Sequence, residues 1–506
     1  TTEIYTLSLH DALPIYFAPQ FQDRPMNLIN PVSIIRILSS ILLIEAAFLL
    51  ACTPVSAIYG ETVMPFLLSA LTTLILAGIL RLASRKYKKE NISNRDTFLI
   101  VTLAWVVISV IGSFPYLFSR TIPTFINAFF ESSSGFTTTG ASILTEVESL
   151  PRSILFWRSL THWIGGIGII VLVILILPSL KVTGYQLFSL ESSVKEKIHP
   201  QIKGVVTRIL LIYLGLTAIE ILFLSLGDMN LFDSICHSFG TVATGGFSTR
   251  NTGIAGYSAY SQYIIGTFMF LAAVSYVVYY HLISGSFHKI RKNDELWFYI
   301  FMVTASVCFL TLILFYGTDR DFELSFRDAY FQVTSQISCT GFASTDYMKF
   351  PPLGWYFMFL LMFFGGSTGS TTGGIKMGRH LIALKNLRNA FIKLHHPSAV
   401  IPVQMNGQRV TDDTVNQVVV FIFLYILTFL AGSMIMQISG ISILEASGAS
   451  ATSMAGIGPG LGLSGNMGNF AHFNPVAKVT MILLMIAGRL ELFTFFTVFT
   501  RPFRRT

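Results

Sequence analysis

The chain has 506 residues, of which 52% are hydrophobic and only 12% charged, with 44 phenylalanines and a formal net charge of +8. Soluble domains carry roughly 25% charged residues, so this composition excludes an ordinary water-soluble globular protein. The basic surplus sits in short clusters between long apolar runs, which is the loop charge of a polytopic membrane protein rather than a nucleic-acid-binding face, and no nucleic acid partner is expected.

In chain order, residues 1–25 (TTEIYTLSLHDALPIYFAPQFQDRP) have neither the basic start nor the apolar core of a signal peptide. They read as a leader foreign to the fold, either translated read-through of an adapter or a disordered native tail, with Met26 as the more natural start. A hydrocarbon core needs about 20 apolar residues per helix. Ten segments meet that criterion: 31–52, 62–84, 96–118, 154–180, 204–226, 260–284, 295–316, 352–385, 414–438 and 475–500, the eighth interrupted by polar residues. After the third, and then within every later pair, lies a stretch of about a dozen residues too short to cross and ending in Gly, Thr and Ser, which reads as a re-entrant half-helix. Lys and Arg gather at 85–95, 195–203, 289–292, 385–393 and 501–505, whereas 439–475 holds none. The half-helices are therefore expected to enter from outside, with both termini cytoplasmic.

Stacking the half-helices reveals an internal repeat. The strings FTTTGAS (136–142), VATGGFS (242–248), SCTGFAS (338–344) and AGIGPGL (455–461) place Gly140, Gly246, Gly341 and Gly458 in one column. Thirteen residues before each glycine stand Asn127, Asp233, Asp328 and Glu445, each followed by Ala or Ser. The glycines are 106, 95 and 117 residues apart, room for a helix, a half-helix and another helix each time. The expected fold is all-α and polytopic, with four pseudo-symmetric helix–pore helix–helix repeats (96–203, 204–294, 295–413 and 414–506) around one central pore. An extra N-terminal helix pair (26–95) precedes them.

Irregular backbone survives at membrane depth only inside protein or along water, so four such strings around an axis define a pore. A half-helix C-terminus turns partial negative charge to the membrane centre, and glycine lets successive carbonyls face one axis to replace a cation's hydration shell. The candidate ion ligands are Thr138, Thr139 and Gly140; Thr244, Gly245 and Gly246; Cys339, Thr340 and Gly341; and Gly456, Ile457 and Gly458. No acidic residue lies in the strings, which fits a monovalent ion better than a divalent one. The plain alternative is four tight turns, which four copies in register make hard to sustain.

With these strings, and with FWRSLTHWIGGIGIIVL (156–172), FGGSTGSTTGGIKMGR (364–379) and AGRLELFT (487–494), the sequence resembles the Trk/Ktr/HKT superfamily of potassium transporters, most closely its bacterial TrkH-type subunits. The likeness spans nearly everything after Met26. It implies potassium ions in the pore, a homodimer with one pore per protomer, a cytosolic nucleotide-binding regulator ring of the TrkA type, and residence in the bacterial inner membrane. Glycine in all four column positions goes in that family with potassium preference, serine in the first with sodium; here the first is Gly140. The fourth string departs from the pattern with Ile457 and Pro459, and the helix at 270–282 is poorer in glycine than expected of relatives.

The eighth segment breaks at Gly365, Gly366, Ser367, Thr368, Gly369, Ser370, Thr371, Thr372, Gly373 and Gly374. Five glycines, each disfavouring helix by up to about 1 kcal/mol relative to alanine, unwind it. The loop is read as a gate beneath the strings, or else as a cytosolic hinge between two ordinary helices; a nucleotide P-loop is excluded because Ile375 follows Gly374 and Met377 follows Lys376. Arg489 lies mid-run in an apolar helix, where an unpaired charge costs at least a few kcal/mol. It is expected to donate to carbonyls of the 366–373 loop, to raise a positive barrier, or to form an interhelical salt bridge; a pair with Glu491, two positions on, is not expected. Trp157, His162 and Trp163 read as interfacial anchors or packing, glycines 165, 166 and 168 as points of close helix approach. The basic stretch 376–409 is either a regulator-docking surface or the positive-inside signal.

No convergent nucleophile and base, paired acids or HExxH spacing exists, so enzyme chemistry is not expected, and no covalently bound cofactor. The reading is potassium uptake across the inner membrane, with a sodium-permeable cation channel or a cation symporter of the same fold as the alternative.

Overall fold

The computed structural model describes residues 31–85, 94–171 and 198–497. The leader 1–25, the stretch 172–180 of the fourth apolar segment and the basic clusters at 86–89, 195–197 and 501–505 lie outside the described residues.

The described residues fold mostly into helices, with a two-stranded hairpin, Gln404–Met405 with Gln408–Arg409, in the C-terminal third. Among the described residues six helices are long and apolar enough to cross a bilayer, and a seventh if a pair bent by 93° counts as one span. Ten apolar segments, the eighth of them interrupted, were expected from the sequence. Part of the fourth segment lies outside the described residues, and breaks account for others: the sixth segment kinks between Ala259–Ala272 and Tyr276–Ile283, and the tenth breaks between Pro475–Arg489 and Leu492–Thr497. The eighth is not one interrupted helix but two, Pro352–Leu361 and Met377–His395, with the whole glycine-rich stretch between them irregular.

The four half-helices are Phe125–Phe136, Leu231–Val242, Phe322–Ile337 and Ile443–Ala455. Local chemistry sets where they start. Asn230, Asp321 and Ser442 accept the backbone N–H three residues on, satisfying an orphan donor of the first turn. Asp233 and Glu445 sit in that first turn, where the helix dipole favours an acid. Asp328 does not, because the third half-helix begins a turn earlier at Phe322 and leaves Asp328 in its second turn.

Neighbouring repeats share their cores in cyclic order. Tyr213 and Val242 of the second repeat pack with Trp163 of the first, and Met269 of the second with Phe331 and Phe342 of the third. Val333 and Met358 of the third meet Ala455 and Ile457 of the fourth, and Met454 and Met481 of the fourth meet Phe136 and Trp157 of the first. The outer faces are apolar as well. Leu71, Ile75, Ile79 and Leu82, and Phe423, Leu427, Leu430 and Met434, are exposed along two of the long helices. Such wide apolar stripes suit a molecule surrounded by lipid.

Candidate cation pathway

Each half-helix ends in the same backbone device. The residue one before the column glycine (Thr139, Gly245, Thr340, Ile457) donates its N–H to the carbonyl five residues back, at 2.9, 2.7, 2.9 and 3.1 Å. This is the 6→1 closure that terminates a helix through a left-handed residue. That residue is Thr138 (φ 53°), Thr244 (φ 56°), Cys339 (φ 56°) and Gly456 (φ 67°), and two positions on Gly140, Gly246, Gly341 and Gly458 are left-handed again, at 81°, 81°, 79° and 105°. Left-handed geometry costs a residue with a Cβ about 1–2 kcal/mol and is exceptional for β-branched threonine. Strain of this kind held twice by threonine marks a backbone kept for a purpose.

The strings close into a ring. A Cβ at Gly140 would strike the carbonyl oxygen of Gly245, one at Gly246 that of Thr340, and one at Gly341 that of Ile457. One at Gly458 would lie 2.7 Å from the oxygen of Thr139, back in the first string. Each column glycine is thus required twice, by its own φ and by the carbonyl of the next string. Among the described residues no donor is directed at the twelve carbonyls of residues 138–140, 244–246, 339–341 and 456–458, although these residues are buried or nearly so. Buried carbonyls without a partner call for a ligand. All four column glycines line one cavity of about 120 Å³ on the side away from the half-helices, together with Arg158 and Arg250 and no acidic side chain.

Beneath the ring, the 366–373 loop lies against the half-helix ends. Thr371 Oγ1 donates to the carbonyl of Val242 at 3.2 Å, and a Cβ on Gly373 would strike the carbonyl of Ala455. Ser367 N–H donates to Ala273 O at 2.9 Å and Tyr276 N–H to Gly369 O at 3.2 Å, so the loop also occupies the kink of the second repeat. Ser367, Thr368, Ser370, Thr371 and Thr372 are all buried, and Gly366 packs on Ala273. Lys376 Nζ donates to the carbonyl and hydroxyl of Thr372. Arg489 donates from Nη1 to Thr371 O at 2.8 Å and from Nη2 to Gly165 O at 3.3 Å. Glu491 turns the other way, to Arg379 at 2.5 Å.

Several residues around the strings carried no recognisable signal in the sequence. Nine positions before the column glycines stand Glu131, His237, Gln332 and Ala449, and the first three bond the chain just after each string. Glu131 accepts from Ser142 Oγ at 2.9 Å and Ile143 N–H at 3.0 Å, His237 Nε2 meets Ser248 Oγ at 2.9 Å, and Gln332 donates to Thr345 O at 3.1 Å. Glu131 is paired with buried Arg158 at 2.8 Å. The tight clue was available only as an alignment of the repeats at that column. Of the two roles expected for Trp157, its place is that of packing: it is buried, its Nε1–H donating to Gly112 O at 3.0 Å. Gly165 and Gly166 do permit close approach, to Phe136 O and to Tyr213 and Ala243.

The architecture is that of a membrane transport protein in which four re-entrant segments converge on one ring of backbone carbonyls. The family model described as "Cation transport protein", TrkH, matches residues 64–503. The chain belongs to the TrkH family. It is 35% identical over 439 residues to the Trk system potassium uptake protein TrkH of Salmonella typhimurium, covering 85% of this chain and 90% of that one. It is 34% identical over 427 residues to the Trk system potassium uptake protein TrkG of Escherichia coli K12, covering 83% and 88%. The crystal structure of the potassium transporter TrkH from Vibrio parahaemolyticus superposes with a TM-score of 0.87 at 32% identity, over 94% of this chain and all of that one. As a member of a cation transport family the protein is a transporter and not an enzyme.

Proposed function

We propose that the protein takes up potassium across the bacterial inner membrane. The ion enters from outside, sheds water against the carbonyls of Thr138–Gly140, Thr244–Gly246, Cys339–Gly341 and Gly456–Gly458, and passes a gate formed by the 366–373 loop and Arg489. The observation that carries this reading is the closed ring of partnerless carbonyls bounded by four left-handed glycines. Neutral oxygens in a buried ring stabilise a monovalent cation by replacing its hydration shell, and half-helix C-termini aimed at the ring add negative potential. The relatives' names agree in naming potassium.

The loop blocks the path where it lies against Val242 and Ala455, and the Arg489 guanidinium both pins it and repels cations there. A homodimer, one pore per protomer, and a cytosolic nucleotide-binding regulator that moves the loop complete the reading, with both termini and the basic stretch 376–409 on the cytoplasmic side. Expression in cells lacking potassium uptake systems tests it: growth at limiting potassium is expected to be rescued. Protein present in the membrane without rescue, with or without a regulator, refutes it, and rescue with rubidium and sodium passing alike points to the sodium-permeable alternative.

A further inference from the structure

The column just before the column glycines reads Thr139, Gly245, Thr340 and Ile457, so the second string alone lacks a side chain there. In the other three that side chain fills the space behind the string. Thr139 Oγ1 bonds Thr137 Oγ1 at 2.8 Å, Thr340 Oγ1 bonds Ser338 Oγ at 2.7 Å, and Ile457 is buried in a hydrophobic core. Gly245 is not in the left-handed region, so its own backbone does not demand glycine. What demands it is an imidazole: a Cβ at Gly245 would lie 2.6 and 2.7 Å from Cδ2 and Nδ1 of His162.

His162 comes from the first repeat, on the helix Arg152–Val171, and is fully buried. Its Nδ1 meets the carbonyl of Gly135, in the last turn of the first half-helix, at 2.8 Å. Its Nε2 meets the N–H of Phe247, the residue just past Gly246, at 3.2 Å. The partners fix the tautomer: Nδ1–H donates and Nε2 accepts, so a single rigid ring joins the base of the first string to the exit of the second. The ring also packs on Phe247, with centroids 4.2 Å apart. Gly245 in turn points its carbonyl at Gly140, so the space behind it governs the gap between two strings of the ring.

We infer that His162 is a positioning residue for ion selection, an imidazole supplied by the first repeat in place of the missing second-string side chain, which fixes the spacing of the first two strings. The inference rests on the reading of the four strings as the ion-selecting element. Its test is the ratio of rubidium to sodium uptake in proteoliposomes, a quantity that ordinary packing loss does not move in a folded protein. His162→Ala is expected to lower the ratio about fivefold, the size of one lost net hydrogen bond. His162→Gln, which keeps a donor and an acceptor, is expected to retain most of it. Gly245→Thr alone should lower the ratio, and combining it with His162→Ala should recover it, because the hydroxyl side chain then occupies the vacated space as in the first and third strings. A parent-like ratio in His162→Ala overturns the inference. Should that variant fail to fold, Gly245→Ala carries the test: its Cβ pushes on the ring, and an unchanged ratio there overturns it too. Gly140→Ser, measured alongside, separates the two levels. If it shifts the ratio while the His162 and Gly245 variants do not, the pin alone falls; if none shifts it, the reading of the strings falls with it.

Discussion

Glu295, near the start of the helix Asp294–Gly317, ties the proposed gate to the start of the helix Met377–His395 that follows it. Its Oε1 accepts from the N–H of Thr368 at 2.7 Å, the hydroxyl of Thr368 at 2.9 Å and the N–H of Gly378 at 2.7 Å. Glu295→Gln keeps the acceptor and removes the charge. Hydrogen bonds to a charged group contribute about 1.5–3 kcal/mol and neutral ones about 0.5–1.5 kcal/mol, so the two bonds to Thr368 of the loop together lose about 2 kcal/mol. The burial cost of the carboxylate disappears in the open and closed positions alike as long as the residue stays buried, and it cancels. At about 1.4 kcal/mol per factor of ten, the open-to-closed ratio of the loop rises about thirtyfold. Radiolabelled rubidium uptake into proteoliposomes, without a regulator, should therefore accelerate until the loop is open most of the time. The rubidium-to-sodium ratio should stay at the parent value, since the strings are untouched. Uptake at or below the parent rate, in a variant that melts within a few degrees of it, refutes the idea that this carboxylate holds the gate closed.

Gly140→Ser puts a Cβ against the carbonyl of Gly245 and should lower the rubidium-to-sodium ratio; an unchanged ratio speaks against the string assignment. Removing part of the stretch Ser367 to Gly373 should raise flux, and a well-folded deletion with unaltered or reduced flux counts against gating there. Arg489→Ala removes two hydrogen bonds from a charged donor, one of them to the loop, and should raise flux in the same assay; no rise would leave Arg489 a packing residue. Glu131→Ala leaves Arg158 buried without its anion, at a cost of about 3–5 kcal/mol, and thermal melting should fall accordingly. A loss below about 1 kcal/mol would mean that water or Ser248 O already satisfies the guanidinium.

What the sequence made legible was whatever repeats. Four glycines in register pointed to the column that the structure places in a ring, because a position that needs left-handed backbone beside a neighbour's carbonyl admits little else. The half-helix starts were visible in part, through Asp233 and Glu445, which sit in the first turn, whereas Asp328 of the same column falls in the second. The breaks were harder. Glycine content announced the break after Leu361 but not the 93° kink at Ala273–Ser275, which contains no glycine and is held from outside by Ser367 and Gly369 of the third repeat. The break at Leu490 depends on left-handed Glu491, whose carboxylate is drawn to Arg379 on a helix more than a hundred residues earlier in the chain. Neither cause is local, so no local pattern reports it. Left-handed Thr138, Thr244 and Cys339 were equally hidden, since propensity argues against them and only the 6→1 closure keeps them there.

The backbone of the four strings is alike while their supports are not, and that contrast bears on how one ring can discriminate. Glu131, His237 and Gln332 tie the chain after the first three strings from within their own repeat. Ala449 has nothing to offer the fourth, whose Gly460 carbonyl is held instead by Tyr347 Oη of the third repeat. Packing adds to this, with Gly448 pressed directly on the backbone of Leu461. A carbonyl's ability to yield to a smaller ion is set by what stands behind it, so strings tied by an ion-paired carboxylate, an imidazole, an amide and a foreign phenol have four different stiffnesses. If the ring selects the ion as proposed, selection is a property of the supports as much as of the glycines. It follows that variants at Glu131 and Tyr347 should alter ion preference through the first and fourth strings and combine nearly additively, whereas Glu131 and His162 variants, which meet at Phe247 through Arg158, and His162 and Gly245 variants should not.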